Sequence, residues 1–208
     1  MQKGIIYHYT ILIMKKFFLI LMFIPSIVNA QALKKGYHGF ADLGYCHYIS
    51  QMDPSTIEVT TSHGYQFNPY LFLGAGVGFD FTGECRYGDI IGHPYNKRES
   101  KVDIPIFFNA HVNFTKTTLS PFIDARVGTQ INNGGGKYLN LSLGARYSIN
   151  ENMGLSFSLG YVVRDVRVEQ LETDYGNKYN GYINRYYYTD SRNGEPFDGL
   201  TFKVGVDF

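Results

Sequence analysis

The chain has 208 residues, with 19 Lys+Arg against 18 Asp+Glu and a formal charge of +1. Hydrophobic residues make up 44% and charged residues 18%. That excludes a wholly disordered chain, and the near-zero charge argues against a nucleic-acid partner. Twenty-three Gly, 18 Tyr and 16 Phe, with no Trp, favour strands over helices; two Cys are too few for a disulfide scaffold or a four-ligand zinc site.

The N-terminus reads as a processing segment. Met14-Lys15-Lys16 is basic, Phe17–Val28 is a 12-residue apolar run containing Pro25, and small residues follow through Ala30 and Ala32. This is the order of a secretory signal peptide, with cleavage expected after Ala30 or Ala32. Residues 1–13 lie upstream of the basic stretch, which makes Met14 a candidate start. Removing residues 1–30 takes away Lys3, Lys15 and Lys16 and no acid, leaving 16 basic and 18 acidic groups in 31–208. No later run reaches the roughly 18–20 apolar residues of a transmembrane helix. The exported chain is therefore either soluble beyond the inner membrane or a membrane β-barrel.

From about residue 36 the hydrophobic period is 2, and eight segments carry it: 36–48, 56–67, 70–81, 102–114, 119–131, 138–148, 153–164 and 199–208. The last sets Leu200, Phe202, Val204, Val206 and Phe208 against Thr201, Lys203, Gly205 and Asp207. Past Arg164 the parity slips, which calls for a bulge or a strand leaving the apolar layer. Connections alternate in length. Those at 68–69, 116–118 and 150–152 are short; those at 49–55, 82–101 and 165–197 are long, and the Gly-rich 132–137 is intermediate. Short turns alternating with long loops are the pattern of an up-and-down transmembrane barrel.

Alternation alone leaves open which face is inside. A soluble lipocalin-like carrier would bury the apolar face around a ligand, and a membrane barrel would turn it to lipid. The Gly- and Ser-rich polar faces favour the second, because they suit a narrow interior. These faces also carry Asp42, Glu58, Asp80, Asp103, Asp124, Arg126, Arg146, Arg164, Lys203 and Asp207, whose mixed signs can pair in a crowded lumen.

At the C-terminus, Lys203-Val-Gly205-Val-Asp-Phe208 fits a polar-x-Gly-x-x-aromatic pattern, and Phe72-Leu-Gly74-Ala-Gly76-Val-Gly78 is a glycine-rich strand. On these residues, 36–208 resembles the small eight-stranded outer-membrane barrels of the OmpX and OmpA-transmembrane-domain type. The resemblance implies an all-β, closed antiparallel barrel in the outer membrane of a Gram-negative-type cell. It implies outer-membrane lipids as surroundings, and an assembly signal at Lys203, Gly205 and Phe208 read by the barrel assembly machinery. It fixes no activity.

No catalytic or metal constellation is visible: the six His form no His-x-x-x-His, and Gly-x-Ser-x-Gly is absent. A non-enzymatic protein without cofactors is expected, with a structural or surface-interaction role; a narrow pore for small solutes is the alternative. Cys46, at the end of the first strand, and Cys85, in a long loop, are a candidate disulfide in an oxidising compartment. The candidate binding surface for an extracellular ligand is the Tyr-, Asn- and Gly-rich stretch 174–190, with Tyr175, Tyr179, Tyr182, Arg185, Tyr186, Tyr187 and Tyr188. The competing reading of that stretch is an extended hairpin above the membrane.

Overall fold

The computed structural model describes residues 33–49, 55–88, 96–132, 135–166, 168–175, 184–190 and 195–208. The expected signal segment 1–30 lies outside them, as do Tyr179 and Tyr182. Among the described residues the chain runs through β1 (Gly36–Tyr48), β2 (Ser55–Gln66), β3 (Leu71–Thr82), β4 (Cys85–Tyr87), β5 (Asn96–Arg98), β6 (Lys101–Asp103), β7 (Pro105–Asn113), β8 (Leu119–Gln130), β9 (Gly136–Ser148), β10 (Gly154–Val166), β11 (Glu169–Tyr175), β12 (Asn184–Asp190) and β13 (Glu195–Asp207).

Eight long strands close into an antiparallel ring, β1-β2-β3-β7-β8-β9-β10-β13 and back to β1. Its stagger follows from the pairing. Gly36 leads through Gln66, Phe72, His111, Asp124, Ser142, Gly160 and Thr201 to Cys46, ten residues further along β1. Eight strands with that shear tilt by about 40° and leave an interior only wide enough for side chains. β6 continues the register of β7 against β3. The break falls at Ile104, ahead of Pro105, which has no N–H to give the ladder. Asn132 bridges it, its Oδ1 accepting from Ile104 N at 2.7 Å and its Nδ2 donating to Val102 O at 2.5 Å.

The parity of each strand decides its faces, and the apolar one points out. Phe108 is 73% exposed and Leu159 68%, with Leu43, Ile57, Leu141, Phe157 and Leu200 also exposed. The lipocalin-like alternative is thereby corrected, since its ligand-lining Leu/Val/Phe face is the outer one. The slip past Arg164 is no bulge either: β10 pairs β13 without interruption from Gly154↔Asp207 to Val166↔Glu195. The strand simply climbs beyond the apolar layer, and Val162, Arg164 and Val168 are all buried.

Inside, aromatic rings lie over glycines. A Cβ on Gly76 would stand 2.6 Å from the Phe107 ring, one on Gly74 2.6 Å from Phe72, and one on Gly144 2.5 Å from Phe122. Two of the three short turns are closed by Asn side chains. Asn68 Oδ1 accepts from Tyr70 N (2.8 Å) and Leu71 N (3.0 Å), and Asn150 Oδ1 accepts from Asn152 N (2.9 Å) and Met153 N (2.8 Å). At the other end Gly135 turns the 132–137 connection with φ 74°, which only glycine adopts freely.

By pattern alone 82–101 and 165–197 read as loops, and here the structure differs. β4 and β5 from one, and β11 and β12 from the other, form a second sheet in the order β12-β11-β5-β4. Three-residue strands are too short to show a period, and β11 offers only Leu171 and Tyr175 as an apolar parity.

Gly76→Val should force a branched side chain into the Phe107 ring and cost about 1–3 kcal/mol. Ala75→Val, one residue away on the outer face, should be nearly neutral. Urea midpoints of the refolded barrel read both, and equal shifts would show that the inner glycine row is not sterically constrained.

Candidate functional site

The ten charged positions singled out in the sequence all project into the ring interior, nine of them buried; the Asp42 side chain keeps only 8% of its exposure. Nine of them form three tiers, and Asp103 pairs separately. At the short-turn end, Arg146 donates to Asp207 through Nε (2.9 Å) and Nη2 (2.6 Å), and His38 Nε2 lies 3.1 Å from the same carboxylate. The two-pronged contact orients the guanidinium. Around this tier rings pack closely. Phe40 meets Phe72 and His111 at 4.9 Å each, and His111 meets Phe122 at 4.4 Å.

The middle tier centres on Arg126. It donates to Asp124 at 2.7 Å, Asp42 at 2.6 Å and Thr60 at 2.8 Å. Asn109 also donates to Asp124, at 2.7 Å. Lys203 reaches up from the same level, 2.8 Å from Asn140 Oδ1 and 3.9 Å from Glu58.

The upper tier is built on Arg164, which is fully buried. It pairs with Glu58 and, at 2.5 Å, with Asp80, and its guanidinium lies 5.6 Å from the Tyr48 ring and 5.5 Å from the Tyr138 ring. An apolar cluster of Cys46, Tyr48, Phe107, Tyr138, Val162, Val168 and Phe197 caps this level. The interior thus has rings below, ion pairs in the middle and an apolar lid above. Arg98, which sequence reasoning missed, adds a buried pair with Asp103 at 2.5 Å; it sits in a long connection where no periodicity marks it.

The second sheet ties two long connections into one platform at the opposite end from the short turns. Glu169 pairs with Lys97 in the ladder, and their side chains meet at 3.2 Å. Lys97 Nζ also stands 4.0 Å above the Tyr188 ring. Tyr187, 46% exposed, donates to Glu172 at 3.1 Å, and Thr189 donates to the other oxygen of Glu172 at 2.9 Å. Tyr175 ends β11, and Arg185 and Tyr186 lie on β12. The stretch 174–190 therefore includes a hairpin arm, with Tyr175 paired to Asn184.

Of the C-terminal positions, Lys203 and Gly205 face inward, and Gly205 leaves room for the Asp42 carboxylate. Phe208 faces outward and exchanges backbone hydrogen bonds with Gly39 at 2.8 and 2.9 Å, which completes the β1–β13 seam.

The candidate disulfide is corrected: Cys46 and Cys85 are free and buried. Cys46 pairs with Thr56, and Thr56 with Thr82, so even Thr82 is two strands from Cys46, about 10 Å. Cys85 lies three residues further on. A bridge needs Cα atoms within about 7 Å. Burial pushes the Cys85 thiol above its usual range, so it is protonated and slow to react at neutral pH.

No protein-family model and no curated protein matches the chain. Several solved structures are similar to it, two of which follow. One is Neisserial surface protein A (TM-score 0.44, 16% identity, 83% of this chain and 96% of that one). The other is a major outer membrane protein from Thermus thermophilus (TM-score 0.42, 14% identity, 83% and 98%).

Two outcomes are expected. Arg164→Met leaves two buried carboxylates short of a counter-charge, a loss of about 3–5 kcal/mol. Adding Glu58→Gln and Asp80→Asn should recover much of the urea midpoint, and no recovery would trace the loss to packing between Tyr48 and Tyr138. Separately, alkylating the urea-unfolded, unreduced protein should add two groups by intact mass; no addition would restore the Cys46–Cys85 bond.

Proposed function

We propose that the chain is a non-enzymatic, integral outer-membrane barrel with a closed lumen, whose platform of long connections is its surface for interactions outside the cell. The observation that carries this is the inversion of its two faces: apolar residues exposed around the whole ring, charged residues buried within it. Only lipid makes that arrangement favourable, since burying paired charges while leaving Leu and Phe in water would lose on both counts. The dimensions support it. Strands of 12–13 residues rise about 3.3 Å each and tilt by about 40°, giving a wall about 30 Å tall. That matches the hydrocarbon thickness of a bilayer. The closed-lumen reading rests on the tiers of rings, ion pairs and apolar side chains. The interaction role rests on the tie between β5 and β11, which presents Tyr187, Tyr188 and their neighbours on a paired sheet instead of a free loop.

Purified protein reconstituted in planar bilayers should give no sustained unit-conductance steps. It should need detergent for extraction and run differently on gels with and without boiling. Regular conductance steps would move the reading to a narrow conduit. Extraction by buffer alone, with no change on heating, would overturn the membrane reading itself.

A further inference from the structure

The chain just ahead of β1 turns over the mouth of the barrel instead of away from it. Leu33 is buried, 6% exposed. It lines a small pocket with Asn113 at the end of β7, Thr117 in the turn that follows, Ser120 near the start of β8, and Arg146 and Ser148 at the end of β9. In the ring order β8 stands directly opposite β1, with β7 and β9 on either side of it. Leu33 is three residues from Gly36, where β1 begins, a reach of about 10 Å. Eight strands spaced about 4.8 Å apart and tilted by about 40° make a ring about 16 Å across. The segment therefore runs from its own strand over the short-turn opening, and Leu33 faces the far wall.

Two further features belong to this crossing. Lys34 pairs with Glu151, in the turn between β9 and β10. The pair is exposed, so it adds little by itself, but it ties the segment to the far side of the same opening. Gly36 has φ 147°, which L side chains rarely adopt, yet a Cβ there would meet nothing within 4 Å. Glycine is required at that position for the dihedral alone, at the point where the chain leaves the β1 ladder.

Leu33 leaves little space beneath it. Asn113 is 2% exposed, and among the described residues neither the oxygen nor the nitrogen of its amide has a hydrogen-bond partner. An open mouth would give that amide to bulk water. The space in the pocket is about 10 Å³, enough for a single water. Arg146, which also lines it, is the residue that holds Asp207 at 2.6 Å.

On the closed-lumen reading above, we infer that residues 33–35 are a strap that shuts the short-turn mouth, with Leu33 as its plug, the Lys34–Glu151 pair as its latch and Gly36 as its hinge. The strap keeps bulk water from the Arg146–Asp207 pair. This end of the lumen is then sealed by a segment outside the barrel wall, and not by the inner tiers alone. Residues 33–35 belong to no strand, so the strap can lift without breaking the ladder.

The test reads thiol exposure in detergent-solubilised protein carrying Cys46→Ala and Cys85→Ala. Asn113→Cys puts a thiol under the plug, at a side chain that gives up no hydrogen bond. With the strap intact, iodoacetamide should modify it slowly, while Asn152→Cys in the exposed turn reacts freely. Leu33→Ser should speed the Asn113→Cys reaction by about tenfold or more, the worth of one buried Leu side chain. Gly36→Val, which clashes with nothing but disfavours the bend, should speed it too, and Leu33→Met should keep it slow. Ser142→Cys, buried in the middle of the lumen, should stay slow throughout. Gel mobility with and without boiling confirms that each variant is folded. The strap is overturned if Asn113→Cys reacts as fast as Asn152→Cys with Leu33 in place, or if Leu33→Ser leaves its rate unchanged. Fast alkylation of Ser142→Cys while Asn113→Cys stays protected would instead sink the closed-lumen reading and not the seal at the mouth.

Discussion

Closing eight strands with a stagger of ten residues leaves room inside for one layer of side chains. Most other features of the molecule answer to that limit. Three of the large rings enter over glycine: Phe72, Phe107 and Phe122 lie on Gly74, Gly76 and Gly144. Charges enter only with partners at hydrogen-bond distance, because the interior holds too little solvent to screen them. The same limit turns the apolar set outward, since the ring has no room for Leu and Phe from every strand.

The buried ion pairs are weak evidence for stability in themselves, because desolvation offsets most of the Coulomb gain. Their value lies in what they forbid. Glu58 and Asp80 are cross-strand partners on β2 and β3, Arg164 comes from β10, 84 and 106 residues away, and the three meet only in one register. A slip of one residue on β10 would carry Arg164 to the outer wall and leave two carboxylates inside without it. Arg126 on β8 does the same for β1, through Asp42. Arg146 and Asp207 do so at the closing end. Each tier makes the misregistered ring costly, a penalty that the nearly uniform Leu, Val and Phe of the outer face cannot supply.

This explains what could be read from the sequence. A period of 2 is a property of each strand alone, so the eight segments and the side on which Asp42 or Arg164 falls follow from local pattern. The partners do not. Nothing adjacent in the chain says that Arg164 meets Glu58, 106 residues away, or that His38 meets Asp207. Arg98 was invisible for a related reason: it lies on a three-residue strand, and its burial depends on Asp103 and the platform. The disulfide expectation failed on register. Both cysteines lie at the same end of the ring, but shared height does not bring residues separated by two strands into contact. The alternation also hid Thr61 and His63, because a polar residue at an apolar position reads as noise until the structure shows a partner for each ring nitrogen.

At the β1–β13 seam, where the first and last strands meet, both faces of the wall are fastened at once. Inside it, Asp207 is held by Arg146 and His38; outside it, Phe208 packs against His63 across the Gly39 notch. Consecutive residues at the end of the chain therefore bind opposite faces of the wall, one through charge and one through an aromatic edge. A ring must be fastened where its first and last strands join, and there neither loop nor turn constrains the pairing. At this seam β1 presents two small outward residues, Gly39 and Ala41, beside the outward-facing imidazole of His63. Bulk at Gly39 would crowd the Phe208 ring of the closing strand.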